Sequence, residues 1–212
     1  NFRGRNEDVK FLIQGGFTEK IALTYQIPYL NTKKTLGTHF DFLYAENKNI
    51  AFQNSANQLN FIDSTRVLLD RIRLGGGLSL RSKFYNTHAV VFSFHKNHIA
   101  DKIAELNPNY FGNGRTTQRF LQLEYNFTRD FRNRAAYPTK GYYGTIKAVK
   151  KGLGVWGNLN TFSLETHLSK FFEINPRLFY STSVLAKYTF QKDLPYTELK
   201  AVGYRPVVAR GY

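Results

Sequence analysis

Hydrophobic and polar residues alternate along most of this chain. Apolar side chains occupy nearly every second position in residues 21–27, 72–80, 121–127, 162–168 and 180–190, and the positions between them are mostly polar or charged. Because successive side chains of a β-strand point to opposite faces, this period of two gives each strand one apolar and one polar face. The pattern therefore predicts an all-β, antiparallel protein.

Nine strands are predicted from this alternation, and most of them are about ten residues long or longer. We place them at residues 7–14, 18–28, 35–46, 68–82, 87–97, 116–130, 142–151, 160–172 and 177–191. Strands of soluble sheets average about 5–6 residues, whereas a strand that crosses a bilayer needs about 9–11. Strand length therefore favours a transmembrane β-barrel over a soluble sandwich.

The connections between the predicted strands differ in length. Residues 47–65 and 97–115 form long connections, as in barrels with short periplasmic turns and longer external loops. A helix-like stretch at residues 99–106 lies inside the second long connection, with Pro108 as its stop signal. The run Gly75-Gly-Gly77 interrupts a strand and predicts a bend or bulge in the barrel wall.

Composition excludes a helical membrane protein and is compatible with a barrel. The chain contains no run that approaches the ~18–20 consecutive apolar residues of a spanning helix. Its low mean hydropathy does not argue against a barrel, because every second strand residue faces a polar lumen. The 212 residues are enough for one domain, and no linker marks a second one.

The net charge of +15 first suggests nucleic acid as a partner. The 30 Lys and Arg residues are, however, spread over the whole length and often alternate with apolar residues. This distribution favours solvated loops and a polar strand face, so we expect no nucleic-acid partner.

The sequence contains no recognisable motif of a catalytic site or a metal site. The chain has no cysteine, no G-x-S-x-G motif and no glycine-rich loop that precedes a helix. Its histidines lack the spacing of metal ligands: His39, His88, His95, His98 and His167. We therefore expect neither an enzyme nor a bound cofactor or metal.

Four short segments occur in order along the chain. They are Asn1-Phe-Arg-Gly-Arg, Ile27-Pro-Tyr-Leu, the pair Arg129-Asp-Phe-Arg-Asn and Tyr137-Pro-Thr-Lys-Gly141, and the closing pair Gly203-Tyr-Arg-Pro and Ala209-Arg-Gly-Tyr212. Together they resemble the barrel motifs of the BamA/TamA family of outer-membrane assembly factors. The third is similar to the family's D-x-R…P-T-x-G periplasmic turn. The fourth is similar to the V-R-G-F/Y motif of its long loop, with Ala209 in place of the usual Val.

Each residue of the turn motif has a physical reason to be there. Pro138 fixes φ and Gly141 relieves steric limits, so the chain can turn tightly between two strands. Asp130 can pair with Arg129 or Arg132 where the barrel meets the periplasm.

The resemblance implies that Arg210, Gly211 and Tyr212 form a loop latch. In the family, the Arg of this motif lies at the tip of a loop folded back into the barrel, and it pairs with an acidic residue on a later strand. A guanidinium in a confined lumen is costly unless it is paired, so such a pair can hold the loop in place.

The resemblance also implies what surrounds this chain. The family barrel has sixteen strands, and the nine predicted here resemble its third to eleventh. We expect residues 1–212 to be part of one outer-membrane β-barrel domain that ends in the long loop with the Arg-Gly-Tyr motif. A signal peptide and the periplasmic POTRA domains would lie outside the chain.

The function implied is that of a non-enzymatic insertase, which assembles β-barrel proteins and inserts them into the bacterial outer membrane. Its partners would be unfolded outer-membrane proteins, accessory assembly lipoproteins and the lipid bilayer with its lipopolysaccharide.

Three alternatives stay open at this point. A two-partner-type secretion translocator would keep its lumen open without a folded-in loop. A porin-like channel would show a steady conductance with anion preference. A soluble basic β protein that binds nucleic acid would be found in the cytosol.

Overall fold

The computed structural model describes residues 6–56, 58–156 and 159–199, and most of them are in β-strands. Within these residues, nine strands form one antiparallel sheet in the order β1-β2-β3-β6-β7-β8-β9-β10-β11, and β4 pairs with β5. The strands are β1 (Asp8–Gln14), β2 (Thr18–Ile27), β3 (Leu36–Asn47), β4 (Asn49–Ser55), β5 (Gln58–Asp63), β6 (Leu69–Ser82), β7 (Asn86–Ile99), β8 (Thr117–Asp130), β9 (Gly141–Lys151), β10 (Thr161–Asn175) and β11 (Leu178–Thr189). Helix α1 spans Asp101–Leu106, and a 3-10 turn spans Tyr196–Glu198.

The large sheet confirms the predicted fold class and the nine predicted strands. After β1, each of its strands has ten or more residues, and β10 has 15. Strands of this length can cross a bilayer. Helix α1 confirms the helix predicted inside the long connection after β7.

The connection predicted at residues 47–65 contains a hairpin that the sequence pattern did not predict. Strands β4 and β5 pair from Asn49↔Asp63 to Ser55↔Gln58, with one register irregularity. These strands have only 7 and 6 residues. They are therefore too short to be recognised by the length that identifies spanning strands.

The two faces of the large sheet differ as the alternation predicts. One face, which we call the inner face, carries buried and mostly small or polar side chains: Ala45, Ser93, Gln118, Thr161 and Ser169. The other, the outer face, carries large apolar side chains such as Phe40, Leu78, Leu168 and Val184, which are 45–61% exposed. A continuous exposed apolar surface of this kind marks a membrane or partner interface.

The run Gly75-Gly-Gly77 does not form the predicted bulge, because β6 keeps an unbroken register with β3 and with β7. Its glycines make room for neighbouring side chains. A Cβ at Gly75 would lie 2.6 Å from Oδ1 of Asp41, and one at Gly77 would lie 2.6 Å from Cε1 of His39. Asp41 thereby reaches across the strand, and its Oδ2 lies 3.1 Å from Nε of Arg73.

The hydrophobic core lies at the end of the sheet that carries the long connections, rather than along one of the two faces of the sheet. It joins the β4–β5 hairpin, the end of β7, helix α1 and the loop before β8 through Ile50, Leu68, Ile99, Ile103, Tyr110 and Phe111. Among the described residues, no helix has the length and apolar character that a membrane crossing requires. The core packs the loops at this end of the sheet against one another.

Candidate functional site

The chain after β11 turns back onto the inner face of the sheet. Its 3-10 turn and the loop before β8 line an open cavity of about 590 Å³ against the sheet. The cavity is lined on the sheet side by Leu43, Leu69, Arg71, Arg73, His95, Asn97, Gln118, Phe120, Gln122 and Lys151. Tyr110, Phe111 and residues 196–199 line its other side. The segment after β11 therefore occupies part of the space in front of the inner face.

Backbone hydrogen bonds hold this returning segment to the loop before β8. The amide of Tyr196 donates to the carbonyl of Asn109 at 2.8 Å, and the amide of Thr197 donates to the carbonyl of Tyr110 at 3.3 Å. The Asn109 side chain donates back to the carbonyl of Leu194 at 3.4 Å. The rings of Tyr110 and Tyr196 pack with their centroids 5.6 Å apart. Two loops that are distant in sequence thus form one unit over the sheet.

An ion pair attaches the same segment to the barrel wall. Nζ of Lys151, at the end of β9, donates to Oε1 and Oε2 of Glu198 at 2.8 and 2.7 Å. The two side chains are only 22% and 15% exposed. A charge-assisted pair that is this well shielded from water is stronger than an exposed one. The pair is therefore a fixed attachment between strand and loop.

The wall beneath the cavity carries basic side chains with polar or aromatic partners. Arg71 donates from Nη2 to Oδ1 of Asn47 at 2.8 Å. His95 stacks on Phe120 with ring centroids 4.6 Å apart, and its Nε2 lies 3.0 Å from Oγ of Ser93. In the described part of the chain, no group of three or more acidic or histidine side chains is arranged to hold a metal ion. The arrangement is suited to holding a loop and anionic groups.

The two tyrosines of the loop unit lie outside the strands, and both have raised pKa values. Burial raises the pKa of Tyr110 to about 12, helped by the neighbouring Tyr196 and opposed by the positive charge of Arg71. Burial also raises the pKa of Tyr196. Both phenols are therefore neutral at physiological pH, which suits their packing against apolar neighbours.

The structure brings Asp130 and Arg132 together in the turn between β8 and β9. Nε and Nη2 of Arg132 donate to Oδ1 and Oδ2 of Asp130 at 2.9 and 2.7 Å, a two-pronged pair that fixes the guanidinium plane. Asp130 also accepts the amide of Arg132 at 3.1 Å. Of the two predicted partners of Asp130, the structure selects Arg132. Arg129 instead lies over the rings of Phe131 and Tyr142.

The remaining turn residues constrain the backbone between β8 and β9. Gly141 has a φ of +110°, and a Cβ there would collide with the carbonyl oxygen of Phe131. Oδ1 of Asn133 accepts the amides of Thr139 and Lys140 at 3.1 and 3.2 Å. Pro138 is half-buried just before them. The turn is a rigid element, but it lies at the opposite end of the sheet from the returning segment.

The predicted latch residues Arg210, Gly211 and Tyr212 lie outside the described residues, so the latch stays a prediction. The sequence analysis missed the residues that fasten the base of the same loop: Asn109, Tyr110, Lys151 and Glu198. The available signal was weak. Glu198 is one of two acidic residues that follow β11, and a lysine at a strand end had many possible partners.

Comparisons with known proteins agree with this architecture. The family model of the Omp85 superfamily domain matches residues 1–203. The crystal structure of BamA from Haemophilus ducreyi lacking POTRA domains 1–3 is similar in fold, with a TM-score of 0.65 at 14% sequence identity. The similarity covers 97% of this chain and 40% of that chain, so the present chain spans less than half of its length. No curated protein matches the sequence.

Proposed function

Since this chain belongs to the Omp85 superfamily, we propose that it forms part of an outer-membrane insertase. The complete protein would bind unfolded outer-membrane proteins, assemble them as β-barrels and insert them into the lipid bilayer. Its site of action would be the bacterial outer membrane. No cofactor or nucleotide is required, because the folding client releases free energy as its strands pair and its apolar face meets lipid.

The observation that carries this proposal is the segment folded back onto the inner face. The Lys151–Glu198 pair holds it to the wall, and its backbone amides donate hydrogen bonds to the carbonyls of Asn109 and Tyr110 in the loop before β8. A passive channel needs an open lumen. A segment that is attached to the inner face at several points obstructs that lumen. The attachment therefore favours an assembly role over a porin-like pore.

Clients would be recognised through their backbone. A strand added to the edge of a sheet gains main-chain hydrogen bonds whatever its sequence, and the alternating side chains then select faces. A machine that handles many different barrels needs this kind of recognition. Accessory lipoproteins and the lipopolysaccharide of the membrane would be further partners of the complete protein.

The test is an insertion assay with the complete protein that contains this chain. It would be reconstituted into liposomes and mixed with an unfolded outer-membrane protein, whose conversion into a protease-resistant, heat-modifiable form is followed over time. We expect conversion to be faster than in empty liposomes. Equal rates with and without the protein would refute the proposal.

Two further readouts distinguish the alternatives within the same preparation. A secretion translocator would move an unfolded exoprotein into the liposome interior without inserting it into the membrane. A porin-like channel would give a steady, anion-selective current across a planar bilayer. An insertase would do neither at a comparable rate.

A further inference from the structure

The outer face has an unusual group of side chains at the end where the chain makes short turns. Arg129 of β8 and Lys170 of β10 both project outward there, since they share the strand faces of exposed Leu123 and Leu168. Tyr142 of β9 lies between them: it pairs in register with Lys170, and its ring centroid is 5.8 Å from Cζ of Arg129. In outer-membrane barrels, short turns lie on the periplasmic side.

Aromatic rings hold these two cations at the membrane surface. Arg129 lies 4.9 Å above the ring of Phe131, which stacks on Tyr85 at 3.9 Å and on Tyr142 at 4.9 Å. Such stacking fixes a guanidinium over the rings while leaving its edge free to bind. Aromatic side chains of this kind occupy the headgroup level in transmembrane barrels.

The second cation is supported in the same way. Nζ of Lys170 lies 5.2 Å from the ring of Phe172, whose centroid is 5.9 Å from that of Tyr180 on β11. Both cations are exposed. They lie on strands separated by one other, about 10 Å apart across the sheet, a span that an Arg and a Lys side chain can close around one headgroup.

Neither cation is neutralised within the described part of the chain. No ion pair among those residues includes Arg129 or Lys170. The two acidic residues near this end of β8–β10, Asp130 and Glu173, belong to the inner-face positions of their strands, and Asp130 is engaged by Arg132. By contrast, outward acids occur at the other end of the sheet, where Glu46 pairs in register with Glu19 and Asp70. Among the described residues, the positive charge at the short-turn end therefore has no acidic partner on its own face.

We propose that Arg129, Lys170 and Tyr142 form a binding site for the headgroup of an anionic phospholipid in the periplasmic leaflet. The two cations bind the phosphate, and the Tyr142 hydroxyl and ring lie at the glycerol level. The acyl chains then run along the outer face over Leu168 and Ile146, which are 54% and 43% exposed. The site thus recognises charge and chain together, which separates a lipid from a soluble phosphate.

The test measures equilibrium binding of a fluorescent phosphatidylglycerol to the complete protein in zwitterionic detergent micelles. Each Lys or Arg near an anionic lipid contributes about 1 kcal/mol, which corresponds to about fivefold in affinity. We therefore expect Arg129→Gln and Lys170→Gln each to weaken binding about fivefold. Arg129→Lys, which keeps the charge, should retain most of the affinity.

Lys96→Gln is the matched control, because Lys96 occupies an outward position near the long-loop end of β7 and carries the same charge. It should leave binding unchanged. Equal weakening by all three Gln variants would mean unspecific attraction by net charge and would overturn the proposal. Unchanged binding in Arg129→Gln and Lys170→Gln would overturn it too, as would displacement of the lipid by inorganic phosphate at constant ionic strength. Heat modifiability of each variant confirms that the barrel is folded.

Discussion

Nζ of Lys151 lies 2.8 and 2.7 Å from the two carboxylate oxygens of Glu198, and this pair joins strand β9 to a loop 47 residues further along the chain. Four residues earlier on the same strand and face, Nζ of Lys147 lies 2.8 Å from Oε1 of Glu124 on β8. The first pair connects wall to loop, whereas the second connects two strands of the wall. The chain therefore provides its own matched control for the function of the loop attachment.

Lys151→Gln should release the returning segment from the wall. Hydrogen bonds to charged groups contribute about 1.5–3 kcal/mol, so we expect the free energy that protects residues 190–199 to fall by an amount in this range. Hydrogen exchange of the complete protein in micelles measures this protection. If the attachment supports insertion, the rate in the liposome assay should fall as well.

Lys147→Gln removes the same charge from the same face and should leave the loop protected. Combining Lys151→Glu with Glu198→Lys should restore protection, because the pair is re-formed with its charges exchanged. Equal protection in Lys151→Gln and Lys147→Gln would show that the ion pair does not hold the loop.

Gly141→Ala should destabilise the turn between β8 and β9 more than Gly16→Ala destabilises the turn between β1 and β2. Both glycines have a φ of +110°, but only at Gly141 would the new Cβ collide with the backbone, whereas nothing lies within 4 Å of it at Gly16. Backbone strain of this kind costs about 1–3 kcal/mol at either position, and the collision adds to it at Gly141. Denaturant unfolding in detergent compares the two variants, and equal losses would contradict the described geometry.

Asp130→Asn should lower the stability of the barrel by about 1–2 kcal/mol, because the two-pronged pair with Arg132 is lost while both groups are partly shielded from water. Asp8→Asn is the control. Asp8 pairs with Lys10 two residues later, but their side chains are 50% and 72% exposed, so a change of about 0–1 kcal/mol is expected there. Thermal unfolding followed by heat modifiability measures both, and a larger loss in Asp8→Asn would contradict the prediction.

The loop unit should weaken at high pH because the pKa of Tyr110 is raised to about 12. A phenol whose folded pKa lies above its unfolded value of about 10 adds stability that is fully present below that lower value. This stability is lost as the pH rises through the folded pKa. The ultraviolet absorbance of tyrosinate, taken as the difference between wild type and Tyr110→Phe, should show one phenol that ionises near pH 12. If the midpoint of this absorbance difference lay near pH 10, the Tyr110 hydroxyl would be exposed to water, which would contradict the prediction.

The sheet could be predicted from the sequence because lipid and lumen impose their polarity on every second residue of a long strand. The alternation at Ile21 and Leu23, or at Leu121 and Leu123, is a local signal that needs no knowledge of the partner strand. The same holds for the turn, where Pro138 and Gly141 constrain the backbone by themselves. Asp130 and Arg132 are two residues apart in the sequence, so their pairing could also be predicted from the sequence.

The loop attachment could not be predicted, because its parts come from three separate places in the chain. Asn109, Tyr110, Lys151 and Glu198 meet only after the sheet has formed. The bulge predicted at the glycine run was wrong for a related reason. A glycine in a strand is compatible with a bulge or with a close neighbour, and only the positions of Asp41 and His39 distinguish the two.

The glycine run Gly75-Gly-Gly77 leaves one level of strand β6 without side chains. For three residues the strand contributes bare peptide, and the side chains on either side of it belong to other strands. Asp41 and His39 of β3 cover it from the lumen, while Phe40 of β3 and Phe92 of β7 flank Gly76 in register on the lipid side. Side chains of β3 and β7, and not of β6, therefore separate the membrane from the lumen at this level. The position of β6 there depends on β3 and β7 remaining beside it.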